Sequence, residues 1–466
     1  MHMNSNQDTK YLFLVSITAG LGGFLFGFDT AVASGTIGFL GEKFSLNEVM
    51  EGWIMSSALL GSVIGAAISG YLSDKYGRRL ILMCSALLFL VSAVASTIPE
   101  TPGVLVAARL IGGIGVGIAA MVAPLYISEL APANLRGRLV SLYQFAITLG
   151  ILCSYLSNTF LLNNANNGEI TSGFLNYIFV EEVWRAMFGS EILPAALFFS
   201  LLFFVPKSPR WLTKEDQPEE ALAVLIRIHG EATARNEMQE ITDTIRQEPG
   251  SFKQLFSKKL RIALIIGLAL PLISQFTGIT TVMYYAPTIF ELAGFQPGSA
   301  FGTAALIGFV NMIFTVVAIW KIDHFGRKPI LMAGFFGLSL ALFLIGLQFS
   351  GSQQVGEAGG LIVASFLFYI MVFAATIGPG VWVLLSEIYP TKVRGRAMAI
   401  GTFCLFVGST LVTQTFPMLR GWLGVGPTFW VYAAVMLPGL YFVWKVVPET
   451  KNKTLEEIEK MWAKES

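Results

Sequence analysis

The sequence predicts an all-α membrane protein with twelve transmembrane helices, arranged as two six-helix bundles with a small cytoplasmic helical linker. Three observations lead to this prediction. First, 54% of the 466 residues are hydrophobic and only 13% are charged, whereas a soluble domain carries about 25% charged residues. Second, apolar runs of about 20 residues, the length needed to cross a bilayer, recur along the whole chain. Third, two charged loop motifs each occur twice, in the same order, in the two halves of the sequence.

The apolar runs define the predicted spans in chain order. Lys and Arg gather in every second loop, as at Lys75, Arg78 and Arg79, whereas the other loops carry acids such as Glu42 and Glu100. Because basic loops stay in the cytoplasm, both termini are predicted to be cytoplasmic. The short loops favour a bacterial inner membrane. The twelve spans lie near residues 11–39, 51–72, 80–98, 104–127, 137–160, 184–205, 260–290, 300–322, 330–348, 358–386, 395–418 and 426–446.

The two repeated motifs indicate that the chain consists of two related halves. Ser128–Arg138 recurs as Ser386–Arg396 with six of eleven positions identical, and Asp74–Arg79 recurs as Asp323–Lys328. Two parallel six-helix halves joined by a linker are the simplest explanation. The predicted domains are an N-terminal bundle at 11–205, a cytoplasmic linker at 206–259, a C-terminal bundle at 260–446 and a cytoplasmic tail at 447–466.

The linker is the only long polar segment between the apolar runs. Residues 218–228 and 231–248 show amphipathic helical spacing with charged faces. They are predicted to form short helices beneath the membrane. Such a linker is either a covalent tether or a latch on the cytoplasmic side of the protein, and the sequence leaves both interpretations open.

Glycine and proline predict where the spans bend and where they pack closely. Gly278 with Pro287 predicts a break in the seventh span, and Gly378–Gly380 predicts one in the tenth. Small residues recur on the second and fourth spans, where they allow helix backbones to approach closely. These small residues are Ser57, Gly61, Gly65, Ser69, Gly113 and Gly117.

Both repeated motifs place acids and bases together at the predicted cytoplasmic surface. They either anchor the topology by positive charge alone, or form pairs between the halves that keep the inner side shut. The matching acids and the repeated order favour a gate. The predicted inner-gate network comprises Asp74, Arg78, Arg79, Glu129, Arg136, Arg138, Asp323, Arg327, Glu387, Arg394 and Arg396.

These motifs together resemble the sugar porter family of the major facilitator superfamily. The resemblance runs from about Tyr11 to Glu459 and includes Pro206–Trp211 and Pro448–Thr450. It implies the major facilitator fold and secondary active transport of a monosaccharide, a hexose or a pentose, by alternating access, with proton symport. Competing interpretations are an uncoupled sugar or inositol carrier, a non-transporting sugar sensor, and a drug or organic-acid antiporter.

Three ionisable residues lie inside predicted spans. Asp29 is in the first, Arg109 in the fourth and Glu191 in the sixth. A charge at mid-membrane costs about 2.5–3.5 kcal/mol on insertion scales, so it is rarely without a role. Asp29 and Arg109 are predicted to pair, either as a static lock or as the proton-coupling site. The resemblance implies the second, because family members with an acid at this position are proton-coupled. Glu191 either assists them or lies near the inner charge network.

Polar and aromatic side chains within the spans match the substrate positions of the family. An amide both donates and accepts hydrogen bonds, as a sugar hydroxyl does, and an indole ring can cover the apolar face of a pyranose. For any single buried amide, interhelical hydrogen bonding is the alternative. The resemblance implies substrate contacts at Gln144, Ser274, Gln275, Thr280, Tyr284, Asn311 and Trp382.

Four positions depart from the family pattern. Lys207 stands where an acid is usual, so the ion pair of that acid is in doubt. Ser274 and Thr280 replace a glutamine and an asparagine, and Leu405 replaces an amide. Because Ser and Thr have shorter reach and fewer donors than amides, the ligand is expected to be larger, differently substituted or more weakly bound than xylose or glucose.

The sequence predicts no cofactor, no metal and no enzymatic activity. The three His residues are far apart, and Cys84, Cys153 and Cys404 lie inside apolar runs without zinc-ligand spacing. The net charge of +1 gives no sign of nucleic-acid binding. The predicted partners are a small sugar or polyol, protons and the lipid bilayer, and the chain is predicted to act as a monomer.

Overall fold

The computed structural model describes residues 5–132, 135–168, 173–246, 255–321, 325–350, 355–451 and 457. These residues are predominantly helical and contain no strand. Eleven of the helical segments within them are long and apolar enough to cross a membrane. The predicted all-α membrane architecture is therefore the observed one.

The first half supplies five unbroken spans and a sixth that is divided. The predicted sixth span forms two short helices that meet at Ser190 and Glu191. Pro194 lacks the N–H that would bond to the carbonyl of Ser190, which weakens the helix at the point where it divides. The helices of this half are α1 Ser5–Phe44, α2 Glu48–Tyr76, α3 Arg78–Ala95, α4 Pro102–Leu130, α5 Arg136–Asn167, α6 Gly173–Asn176, a π-helical turn Tyr177–Glu181, α7 Val183–Gly189 and α8 Ile192–Leu201.

The described part of the linker segment contains three helices, and they are fastened to the first half. The Tyr126 hydroxyl donates to the carbonyl of Pro206 (2.5 Å), and His229 Nε2 lies 2.8 Å from the carbonyl of Leu130 at the end of α4. The Arg227 guanidinium stacks 4.1 Å above the ring of Tyr11 in α1. The linker helices are α9 Pro209–Lys214, α10 Pro218–His229 and α11 Glu231–Arg246.

In the second half, the seventh and tenth spans are broken. The seventh breaks at Gly278, whose φ of 81° is left-handed. The tenth span breaks at Thr376, two residues before the predicted break at Gly378–Gly380. Pro379 lies in the first turn of the next helix, where no intrahelical hydrogen bond needs its missing N–H. The elements are a 3₁₀ turn Lys258–Leu260, α12 Arg261–Gln275, α13 Ile279–Leu292, α14 Pro297–Lys321, α15 Arg327–Ser350, α16 Val355–Ala375, α17 Ile377–Ile388, α18 Thr391–Leu423 and α19 Val425–Val446.

The small residues of α2 and α4 bring these helices into backbone contact. A Cβ added at Gly113 would overlap the carbonyl of Ala58, and one at Gly61 would overlap the carbonyl of Leu110. The two backbones can lie this close only because these residues are glycines, since a larger residue would push the helices apart.

We expect Gly113→Ala to destabilise the first half by about 1–3 kcal/mol, the usual cost of overpacking. The measurement is the melting temperature of the purified protein in detergent. Gly70→Ala on α2 is the matched control, because a Cβ there meets nothing within 4 Å. Equal melting temperatures for Gly113→Ala and the control would contradict the prediction.

The two halves meet through α2 and α18, α1 and α13, and α5 and α14. At the start of α2, Glu51 pairs with Arg420 of α18 (2.9 Å), and Ser56 donates to Gln414 (2.7 Å). The repeated charge motifs lie at the opposite ends of α2 and α18. The halves are thus tied together at the end of the molecule remote from the linker.

Candidate functional site

A buried ion pair joins the first and fourth spans. The Arg109 guanidinium donates to both carboxylate oxygens of Asp29, at 3.1 and 3.3 Å. Its Nε donates to the carbonyl of Ile54 (3.1 Å), and its guanidinium carbon lies 5.6 Å from the centre of the Phe188 ring. Arg109 is 1% exposed and Asp29 5%. Loss of either charge would leave the other buried without its hydrogen-bonded partner, which typically costs about 3–5 kcal/mol.

A second carboxyl group lies within the electrostatic reach of this pair. Glu191, at the break between α7 and α8, is buried and experiences the charges of both Asp29 and Arg109. Two carboxylates and one guanidinium carry a net charge of −1, and one added proton makes the group neutral. Since an isolated charge in a low-dielectric region is costly, this group is suited to hold one proton.

The second half reaches this charged group through Tyr284. This side chain of α13 is 1% exposed and lies beside Thr30, the residue after Asp29. Tyr284 also lies within the electrostatic influence of Asp29 and Arg109. A residue predicted to contact substrate therefore adjoins the predicted proton site, across the boundary between the halves.

Three of the predicted substrate residues lie together at the break in the seventh span. Gln275 ends α12 and is bonded to Ser274 beside it and to Thr280 at the start of α13. Ser409 of α18 also donates to Gln275 (2.9 Å), a contact that the sequence did not indicate. In the sequence, Ser409 looks like a small residue that only allows helices to pack. The adjacent Gly408 was the one sign that another helix approaches α18 closely here.

The remaining predicted contacts come from other helices. Asn311 on α14 is buried, and Gln144 on α5 and Trp382 on α17 are half-buried. No hydrogen bond among the described residues joins these three to Gln275. An aromatic pair that the sequence analysis missed links the halves in this region, with the rings of Phe26 and Phe406 centred 5.8 Å apart. Leu405, the position where the family has an amide, is half-buried beside it on α18.

The repeated loop motifs form matching ion pairs, one in each half. Arg78 pairs with Glu129 (2.9 Å) and Asp74 (3.0 Å), and Arg327 pairs with Glu387 (2.7 Å). Arg79 donates to the carbonyls of Leu202 and Phe203, and Arg394 donates to that of Tyr389. Arg136 and Arg138 are exposed and Arg396 is half-buried, whereas Asp323 lies outside the described residues.

The segment after each bundle repeats the same contact. Ser208 donates to Glu129, and Thr450 donates to Glu387, both at 2.5 Å. Ser208 follows Pro206 and Lys207 as Thr450 follows Pro448 and Glu449, so Lys207 occupies the place of an acid. Lys207 instead forms an exposed pair with Glu220 (3.2 Å).

Glu449, which occupies the position in the second half that Lys207 occupies in the first, shows which contacts an acid makes there. It accepts from the backbone N–H groups of Arg327 (3.0 Å) and Lys328 (3.2 Å) at the start of α15, and from that of Lys451 (2.9 Å). Partial burial by itself would raise the pKa of Glu449, but these backbone donors together lower it below its usual value.

We expect Glu449→Gln to destabilise the protein by about 1 kcal/mol at neutral pH, because hydrogen bonds to a charged, partly exposed carboxylate are lost. A lowered pKa in the folded state means that the stabilisation exists above the ordinary Glu pKa and disappears as the pH falls through the lowered value. The difference in melting temperature between wild type and variant should therefore shrink as the pH falls from neutral to acidic. Glu219→Gln, at an exposed position of α10, is the control. A pH-independent difference between wild type and Glu449→Gln would contradict the prediction.

The fold and this site define a membrane carrier built from two related helical halves around buried charged and hydrogen-bonding groups. The chain matches the family of sugar (and other) transporters over residues 15–462 and belongs to that family. This confirms the predicted family, and the chain is a transporter rather than an enzyme.

The chain is similar to known transporters over nearly its whole length and theirs. The chain is 40% identical to an arabinose–proton symporter of Bacillus subtilis, covering 98% of this chain and 97% of that one. It is 39% identical to the D-xylose–proton symporter of Escherichia coli, covering 100% and 98%. The structure is similar to that of the E. coli xylose transporter XylE in a partially occluded inward-open conformation, with a TM-score of 0.82, 37% identity and coverage of 96% and 100%. A structure of the same transporter bound to 6-bromo-6-deoxy-D-glucose gives a TM-score of 0.80 at 38% identity, covering 98% and 100%. These comparisons confirm the twelve-span major facilitator fold.

Proposed function

We propose that this protein is a proton symporter that carries a monosaccharide, a hexose or a pentose, across a bacterial inner membrane by alternating access. The observation that carries the proposal is the buried Asp29–Arg109 pair, which adjoins Tyr284 of the other half. Protonation of Asp29 would weaken this ion pair, and Tyr284 in the second half lies close enough to be affected when the pair weakens.

The coupling follows from elementary electrostatics. Protonation of Asp29 removes its attraction for Arg109, and Glu191 is then the remaining carboxylate near the guanidinium. The local rearrangement acts on Thr30 and Tyr284, and so biases the halves toward one arrangement. One proton entering down 100 mV supplies about 2.3 kcal/mol, which sustains a gradient of roughly fifty-fold for a neutral sugar.

The proposed sugar site uses Gln275 with Gln144, Asn311 and Trp382, which supply donors, acceptors and one indole face. The basic loops support an orientation with both termini in the cytoplasm. In that orientation, the Glu51–Arg420 pair lies on the outer side, so the structure corresponds to a state closed to the outside. The pairs at Arg78 and Arg327 then form the inner charge network, and the monomer contains a complete transport path.

Counterflow in proteoliposomes tests the proposal. Purified protein is assayed with pentoses, hexoses and inositols, with and without an imposed pH gradient. We expect counterflow of at least one aldose without the gradient, and accumulation above equilibrium only with it. Counterflow without gradient-driven accumulation would indicate an uncoupled carrier, and no movement of any sugar would overturn the proposal.

A further inference from the structure

The side-chain amide of Gln275 is surrounded by three hydroxyl groups. Its Oε1 lies 2.9 Å from Thr280 Oγ1 and 2.9 Å from Ser409 Oγ, and its Nε2 lies 3.2 Å from Ser274 Oγ. Ser274 Oγ in turn lies 2.6 Å from the carbonyl oxygen of Pro271. Gln275 and Ser409 are buried and Thr280 is half-buried.

The direction of every hydrogen bond in this cluster can be worked out from the Pro271 carbonyl. A carbonyl oxygen only accepts, so Ser274 must give its single proton to Pro271. Ser274 then accepts from Gln275, and the atom of the amide that faces it must be the nitrogen. This places the amide oxygen toward Thr280 and Ser409, which must both donate to it.

The amide is therefore almost fully occupied. Both lone pairs of Oε1 are filled, and one of the two N–H groups is bound to Ser274, so a single N–H remains for another partner. Ser409 can reach the amide because its neighbour is a glycine: a Cβ at residue 408 would already lie only 3.1 Å from the Gln275 Cβ. The amide has no freedom to reverse its donor and acceptor ends without breaking three bonds.

We infer that Ser409 is a positioning residue which, with Thr280, holds Gln275 so that its amide meets the sugar only as a hydrogen-bond donor. This inference rests on the proposed function and deepens it. Ser274 and Thr280 then act chiefly on Gln275, and the sugar must present an acceptor to the one free N–H. Gln275 therefore recognises the oxygen of one sugar hydroxyl, to which it donates. It does not accept a hydrogen bond from that hydroxyl.

Pairs of monodeoxy and monofluoro sugars test this inference, because fluorine is a weak acceptor and never a donor. Inhibition constants are measured for both analogues at each ring position of the transported sugar. The position that faces Gln275 is the one at which Gln275→Ala no longer distinguishes the parent sugar from its deoxy analogue. At that position, we expect wild-type protein to bind the fluoro analogue about two- to threefold more tightly than the deoxy analogue, the lower end of the range for one hydrogen bond, because fluorine is a weak acceptor.

The double variant Thr280→Val, Ser409→Ala frees the amide oxygen. Only the 3.2 Å bond to Ser274 then opposes rotation of the amide, instead of three bonds. The amide can give up that bond, turn and accept from the sugar, so the fluoro analogue should lose its advantage and the ratio should fall toward one. Thr280→Ser, which keeps the hydroxyl, should retain the wild-type ratio. Thr410→Val is the matched control on α18, since its hydroxyl bonds within its own helix to Phe406 (2.7 Å).

The outcomes separate this inference from the proposed function. If no sugar binds to the wild-type protein, the proposed function fails. If sugars bind but the fluoro and deoxy analogues are equal in the wild type, or if the ratio is unchanged in the double variant, the inference alone is overturned. The wild-type ratio decides the matter even if the double variant does not fold.

Discussion

Asp29→Asn is expected to abolish uphill accumulation of sugar while leaving counterflow intact. Asn has nearly the shape of Asp and can still accept from Arg109, but it cannot bind and release a proton in the working pH range. Accumulation in the presence of a pH gradient should therefore fall to the equilibrium level, whereas exchange of labelled for unlabelled sugar, which needs no net proton movement, should persist. Both are measured in the same proteoliposomes.

Two further variants test whether the loss of accumulation is due to the carboxyl group of Asp29. Asp216→Asn, in the turn before α10, is the control and should accumulate sugar normally. Because Asp29→Asn leaves Arg109 buried without its counter-ion, at a cost of about 3–5 kcal/mol, the neutral pair Asp29→Asn, Arg109→Gln serves as a second variant. Persistent accumulation in Asp29→Asn would remove Asp29 from the coupling mechanism.

In the proposed orientation, breaking the pair between Glu51 and Arg420 is expected to open the outer side of the protein. Both side chains are largely buried, with 14% and 19% of their surface exposed, and the pair joins the two halves directly. Glu51→Gln or Arg420→Gln removes a bond that exists only when the outer ends of α2 and α18 meet, and so shifts the equilibrium toward the outward-open state. A cysteine placed at Thr413, which is fully buried behind this contact, should react with a membrane-impermeant maleimide about tenfold faster, equivalent to about 1.4 kcal/mol.

Charge reversal tests whether the effect is due to the pair itself. Glu51→Arg, Arg420→Glu should restore slow labelling, because the attraction is rebuilt with the charges exchanged. Glu231→Gln removes one member of an exposed pair on α11 (67% and 69% exposed) and should change nothing. If the reversed protein reacts as fast as either single variant, the ion pair does not control closure.

Much of the architecture could be predicted from the sequence, because the signals that define it are local. A span needs only a run of apolar residues, and the break at Gly278 needs only a residue that tolerates a positive φ. The relation between the halves was visible because Ser128–Arg138 and Ser386–Arg396 share six of eleven residues in the same order. The division of the sixth span at Glu191 was not predicted, because hydropathy does not register a single missing N–H at Pro194.

The site shows a similar division between local and long-range information. The sequence by itself determined that Asp29, Arg109 and Gln275 lie within candidate membrane spans, because a polar side chain inside an apolar run is easily recognised. Only the tertiary structure decided that Ser409, 134 residues from Gln275, donates to its amide, and that Tyr284 lies beside Thr30 near the charged pair. A hydroxyl on an apolar helix looks the same whether it bonds to its own helix, as Thr410 does, or to another, because that choice depends on which helix packs against it and how closely.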